Sequence, residues 1–134
     1  MLKILTKKDF LKYKTPLLEL YDPVLKRPEE YWKSLNASTF IIAAFEDDII
    51  IGASRIMSDL YMCAMIFDVL VHPDYRNRGI GWKIIQMTVE FCREKRIKNV
   101  SLVTDPSHPW LPDFYKKFGF TVDDSRGMYM ILEK

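Results

Sequence analysis

Around His72-Pro73 the chain changes its period, and this change constrains the fold more than any other feature of the sequence. From Met62 to Val71 both the even-numbered and the odd-numbered positions are mostly apolar, the pattern of a central strand covered on both faces, with Asp68 as its one charge. Beyond Pro73, Ile80, Ile84, Ile85, Thr88, Phe91 and Cys92 fall on one side of a helix. Lys83, Gln86, Glu90, Arg93 and Glu94 fall on the other. A doubly covered strand that feeds a long amphipathic helix implies helices layered on a sheet.

The segments on either side extend this reading. Leu2 to Leu5 is a first strand, and Thr6 with Asp9 caps a helix carrying Phe10, Tyr13 and Leu17, which Pro16 kinks or splits. Tyr21 to Arg27 is a loop, and Pro28-Glu29-Glu30 opens a short helix through Leu35. Thr39 to Phe45 and Ile49 to Met57 are strands about a turn at Glu46-Asp47-Asp48, and Ser58 to Tyr61 turns into the strand already described. After the long helix come a strand from Asn99 to Thr104 and a second helix with Leu111, Phe114, Tyr115 and Phe118, stopped by Gly119. Phe120 to Val122 and Met128 to Leu132 close the chain as strands. The order β-α-α-β-β-β-α-β-α-β-β predicts an α/β (α+β) domain, with helices flanking a mixed, largely antiparallel sheet. With 134 residues and no repeat or linker-like stretch, residues 1–134 are expected to form a single domain.

Composition narrows the function. A net charge of +2 is too small to indicate nucleic-acid binding. No apolar run approaches the roughly 20 residues of a membrane-spanning helix. Met1 leads straight into a strand-like segment rather than a signal peptide, so the expected location is cytoplasmic. Cys63 and Cys92 form no Cys-x-x-Cys pair and have no histidine at metal-ligand spacing, which predicts two buried apolar thiols and no metal.

The chemistry gathers where the strand becomes the helix. In Arg76-Asn77-Arg78-Gly79-Ile80-Gly81, glycines at a helix start let the backbone come close to a ligand. The unpaired N–H groups and the dipole there favour an anion, best a phosphate. Arg76, Arg78 and Lys83 add positive charge, so a pyrophosphate is the expected ligand. A Walker loop, Gly-x-x-x-x-Gly-Lys-Ser/Thr, is absent from the sequence, and the third glycine of a dinucleotide fingerprint would fall on Ile84.

Arg76 to Gly81 resembles the GNAT acetyltransferase pattern Arg/Gln-x-x-Gly-x-Gly/Ala, and Ile66 to Pro73 is similar to the family's fourth strand. Phe114-Tyr115-Lys116-Lys117-Phe118-Gly119-Phe120 resembles its Leu/Phe-Tyr-x-x-x-Gly-Phe signature. The resemblance implies an acyl-CoA cleft between splayed fourth and fifth strands. There the backbone from Val69 through Leu70 to Val71 would bond pantetheine, while Arg76, Asn77, Arg78, Gly79, Ile80, Gly81 and Trp82 would cradle the pyrophosphate. It further implies an N-acetyltransferase that moves acetyl from acetyl-CoA to a primary amine by direct attack on the thioester, with Tyr115 as the acid for the departing thiolate. The base is left between Asp68, which could instead be ion-paired, His108 and a water relay. His108 stands where many family members carry a cofactor-bonding asparagine, and this departure leaves that contact open. The Tyr21–Arg27 loop with Tyr31 and Trp32 would wall the amine site or simply pack in the core. The expected partners are acetyl-CoA and a small-molecule amine, without nucleic acid or membrane, and a homodimer is left open. A second reading is a non-catalytic acyl-CoA sensor or binding module on the same fold.

Overall fold

The computed structural model describes residues 1–21, 27–104, 107–122, 130 and 132, which fall into two compact units, 1–103 and 104–134. In the first unit five strands lie in chain order: β1 (Leu2–Leu5), β2 (Phe40–Glu46), β3 (Ile49–Ser58), β4 (Cys63–Val71) and β5 (Asn99–Leu102). Strands β1 to β4 are antiparallel neighbours, and β5 joins β4 in parallel. A parallel partner needs a crossover, and helix α4 (Ile80–Glu94) supplies it.

Before β2 the chain makes α1 (Lys7–Phe10), α2 (Lys14–Tyr21) and α3 (Pro28–Asn36). The Asp9 carboxylate accepts from the backbone N–H and the hydroxyl of Thr6, which fixes the start of α1. The expected split falls at Leu11–Tyr13, so that Pro16 stands in the first turn of α2, where its missing N–H costs no helical bond. Tyr21, read from the sequence as loop, is the last residue of α2.

Alternation along the strands divides the core into two layers. Leu5, Ile41, Ala43, Phe45 and Ala53 meet Phe10, Leu17, Leu20 and Leu35 from α1 to α3. On the opposite face Phe40 lies 4.3 Å from Phe91 of α4, centroid to centroid. The buried residues of α4 are Ile84, Ile85, Thr88 and Cys92, on the face its periodicity predicted. Gly52 of β3 permits this contact: a Cβ there would stand 3.0 Å from Ile84 Cδ1 and 3.1 Å from Ile80 Cγ2.

Three further expectations change within the first unit. Strand β4 buries Ala64 and Ile66 but leaves Met65, Phe67 and Val69 to Val71 only partly covered, so it is not covered on both faces. Cys63 is exposed while Cys92 is buried, since Cys63 opens β4 beside the exposed turn Leu60–Met62. The strand expected from Asn99 to Thr104 stops at Leu102.

In the second unit, α5 (Leu111–Lys116) ends in a turn at Gly119, whose φ of 97° is the left-handed conformation that glycine adopts without strain. Phe120 to Val122, expected as a strand, is irregular chain. The strand expected over Met128–Leu132 falls largely outside the described residues.

Candidate active site

Three features of the first unit build the candidate site, beginning with the unequal lengths of β4 and β5. Ile66 pairs with Leu102, the last residue of β5, and among the described residues β4 then continues to Val71 along β3 alone. His72 donates its N–H to the Ile51 carbonyl of β3 at 2.8 Å. By strand alternation the N–H and C=O groups of Val69 and Val71 then turn to the side that β5 has left. The Val71 carbonyl accepts there from Arg76 Nε at 3.0 Å, which ties the strand's end to the glycine turn.

That turn is the second feature. The His72 Nδ1 accepts the Asp74 N–H at 3.1 Å and starts the 3-10 turn Pro73–Tyr75. Asn77 (φ 64°) and Gly79 (φ 77°) then take left-handed conformations that swing the chain into α4, whose first helical bond runs from the Lys83 N–H to the Gly79 carbonyl. A helix start leaves its first N–H groups without helical partners. Among the described residues the backbone there is sterically bare: a Cβ on Gly79 would meet nothing within 4 Å, and one on Gly81 only Val71 Cγ2 at 3.7 Å. Arg76, Arg78 and Lys83 are exposed around it, with the Arg78 guanidinium 5.1 Å from the Tyr75 ring centroid. Open amides, bare glycines and cations fit a pyrophosphate.

The third feature is a bulge in β4. Between the pairs Arg55–Phe67 and Ala53–Leu70, β4 carries one residue more than β3, and Asp68 there has a φ of 55°. The Asp68 carboxylate accepts from Arg55 Nε at 2.6 Å and from the Tyr31 hydroxyl at 2.8 Å. Its carbonyl accepts from the Tyr21 hydroxyl at 2.7 Å. The tyrosine rings lie 5.4 Å apart, and burial, followed by the nearby charge of Asp68, pushes the Tyr31 phenol far up. The Tyr21 phenol is also raised well above its ordinary value, chiefly by burial. Both stay protonated and act as donors.

The ion-paired alternative for Asp68 is thus the geometry found. Sequence reasoning did not single out Arg55, although a signal existed: Arg55 and Asp68 are the lone charges of two strands joined by one turn. Trp32 packs on the α-helical side of the core, with Lys14 Nζ 5.3 Å from its ring centroid.

His108 and Tyr115 belong to the second unit. The Ser107 hydroxyl lies 2.9 Å from His108 Nδ1, and the His108 carbonyl accepts the Leu111 N–H at the start of α5. Tyr115 is the buried residue of α5, its ring edge-on to Phe114 and Phe120, and burial raises its phenol above the ordinary value. Among the described residues no group of three or more His, Cys, Asp or Glu side chains could hold a metal ion, and no helix is long and apolar enough to cross a membrane.

The site is thus a mixed sheet whose fourth strand outruns its parallel partner, beside a bare helix start, on a fold that suits an acyltransferase. The model of the acetyltransferase (GNAT) family matches residues 7–120, and the chain belongs to that family. It is 32% identical to an uncharacterized N-acetyltransferase, ycf52, of Pyropia yezoensis, over 84% of this chain and 68% of that protein. It is 35% identical to the chloroplastic GCN5-related N-acetyltransferase 2 of Arabidopsis thaliana, over 60% of this chain but only 31% of that one. Its fold is similar to that of an aminoglycoside acetyltransferase from an uncultured soil metagenomic sample, with a TM-score of 0.76 and 23% identity, covering 100% of this chain and 96% of the other.

Proposed function

We propose that the protein transfers an acetyl group from acetyl-CoA to a primary amine. The observation that carries this reading is the stretch Phe67–Val71 of β4, which runs on past the end of β5 and leads into the bare glycine turn. An extended chain with amide groups, such as pantetheine, suits the backbone of Val69 and the N–H of Val71, whose carbonyl is held by Arg76, and a pyrophosphate suits the turn. A helix start attracts the phosphates of coenzyme A and of a nucleotide alike, so the strand gap rather than the turn is what favours coenzyme A.

In the reaction the amine lone pair attacks the thioester carbon, the C–N bond forms, the C–S bond breaks and the sulfur leaves as a thiolate. The amine must first be neutral, because an ammonium has no lone pair. Tyr115, placed by the Phe-Tyr-x-x-x-Gly-Phe signature, gives the thiolate its proton, and its raised phenol is fully protonated at neutral pH. Asp68 is held by Arg55 and Tyr31, which favours His108 or water as the route for the amine's proton. The acceptor is an amine-bearing small molecule, a class for which the name of the aminoglycoside acetyltransferase offers a first candidate.

The test is a panel of amines incubated with acetyl-CoA while released thiol is followed. Thiol release that depends on one amine class supports the reading. Saturable binding of acetyl-CoA with no turnover across aminoglycosides, simple amines and peptide amines would favour the non-catalytic sensor.

A further inference from the structure

We propose that Tyr21 and Tyr31 are positioning residues that hold the bulge of β4 in the shape the pantetheine arm requires, an inference that rests on the acetyl-CoA reading above. Asp68 is a non-glycine residue with a φ of 55° inside a strand, a conformation that persists only where its surroundings hold it. Three elements do so. Tyr21, at the end of α2, holds the carbonyl. Tyr31 of α3 and Arg55 of β3 hold the carboxylate.

The bulge sets the facing of the rest of β4. One extra residue reverses the side to which every later residue turns its backbone groups. Val69 and Val71 therefore face the gap left by β5, and Leu70 faces β3, only while the bulge stays at Asp68. Tyr21 is 2% exposed, and burying a phenol without a partner is unfavourable, so its hydroxyl has a strong reason to stay on the Asp68 carbonyl. The glycine turn, by contrast, is organised by His72, Asn77 and Gly79, and its one side-chain tie to the bulged strand among the described residues is the bond from Arg76 Nε to the Val71 carbonyl, three residues beyond the bulge.

This division of labour gives a readout that general loosening would not produce. Coenzyme A uses both the bulged strand and the turn, whereas 3′-phospho-ADP, its nucleotide end, uses the turn alone. Both ligands are titrated calorimetrically into the wild-type protein, Tyr21→Phe and Tyr31→Phe. Loss of one hydrogen bond to the bulge should weaken coenzyme A by about 3- to 10-fold in Tyr21→Phe and by less in Tyr31→Phe, with 3′-phospho-ADP unchanged in both. Should Tyr21→Phe fail to fold, the same ratio in the half-buried Tyr31→Phe decides. Unchanged coenzyme A affinity in the folded variants, or equal weakening of both ligands, overturns the inference while leaving the acetyl-CoA reading standing. A wild-type protein that binds no coenzyme A overturns that reading itself.

Discussion

Tyr115 carries its hydroxyl on a ring packed between Phe114 and Phe120, so Tyr115→Phe should leave that packing in place. Turnover should fall by about 10²–10⁴-fold if the phenol is the general acid. The sign of its pH dependence comes from burial: an acid must be protonated, its phenol lies above the ordinary value of about 10, and activity due to it is lost only as pH rises through that raised value. A pH–rate profile should therefore show no alkaline limb from this group below about pH 10. Full activity of Tyr115→Phe under conditions where chemistry limits the rate would remove the assignment. Gly81→Val tests the turn at the same scale. Among the described residues its new Cβ would meet only Val71 Cγ2, at 3.7 Å, so folding should change little while coenzyme A affinity drops sharply. Chemical denaturation and calorimetry on one sample separate the two effects, and normal coenzyme A binding would place the pyrophosphate elsewhere.

Helix α4 was the element most legible from sequence, because its apolar residues repeat with one strong period. The buried side of α4 is the side its apolar spacing predicted, and its start falls at the glycines. How closely α4 rests on the sheet was not legible, since that depends on Gly52, far away in β3. Gly52→Ala should cost about 1–3 kcal/mol. Its Cβ would crowd two side chains of α4 and the Leu70 carbonyl, the last at 3.3 Å. Urea denaturation would measure the loss; a stability within error of wild type would mean that α4 can lift without cost. The bulge was equally hidden. Met62 to Val71 reads as an unbroken apolar strand, and only the pairing with β3 shows the extra residue at Asp68. Because of the bulge, Asp68 meets Arg55, Tyr31 and Tyr21 rather than remaining an isolated charge among apolar neighbours.

At the scale of the molecule, a ligand that binds only the folded state must stabilise it, by RT ln(1 + [L]/Kd). Acetyl-CoA at about 100 times its Kd should therefore add about 2.7 kcal/mol and raise the melting temperature by several degrees. ATP at the same concentration should do much less, having phosphates for the turn but no arm for β4. A calorimetric scan with each ligand checks this, and equal protection by ATP would overturn the coenzyme A assignment. The sequence by itself determined the α/β class, the order of the main elements, the glycine turn and the two signatures of the family, because all of these are local. Periodicity, helix starts and short motifs depend on residues a few positions apart. Only the tertiary structure decided where β5 stops beside β4, where the bulge falls, and which partners hold Asp68. These are matters of register between segments far apart in the chain. Register is set by packing the helices and the neighbouring strands together, which no single segment encodes.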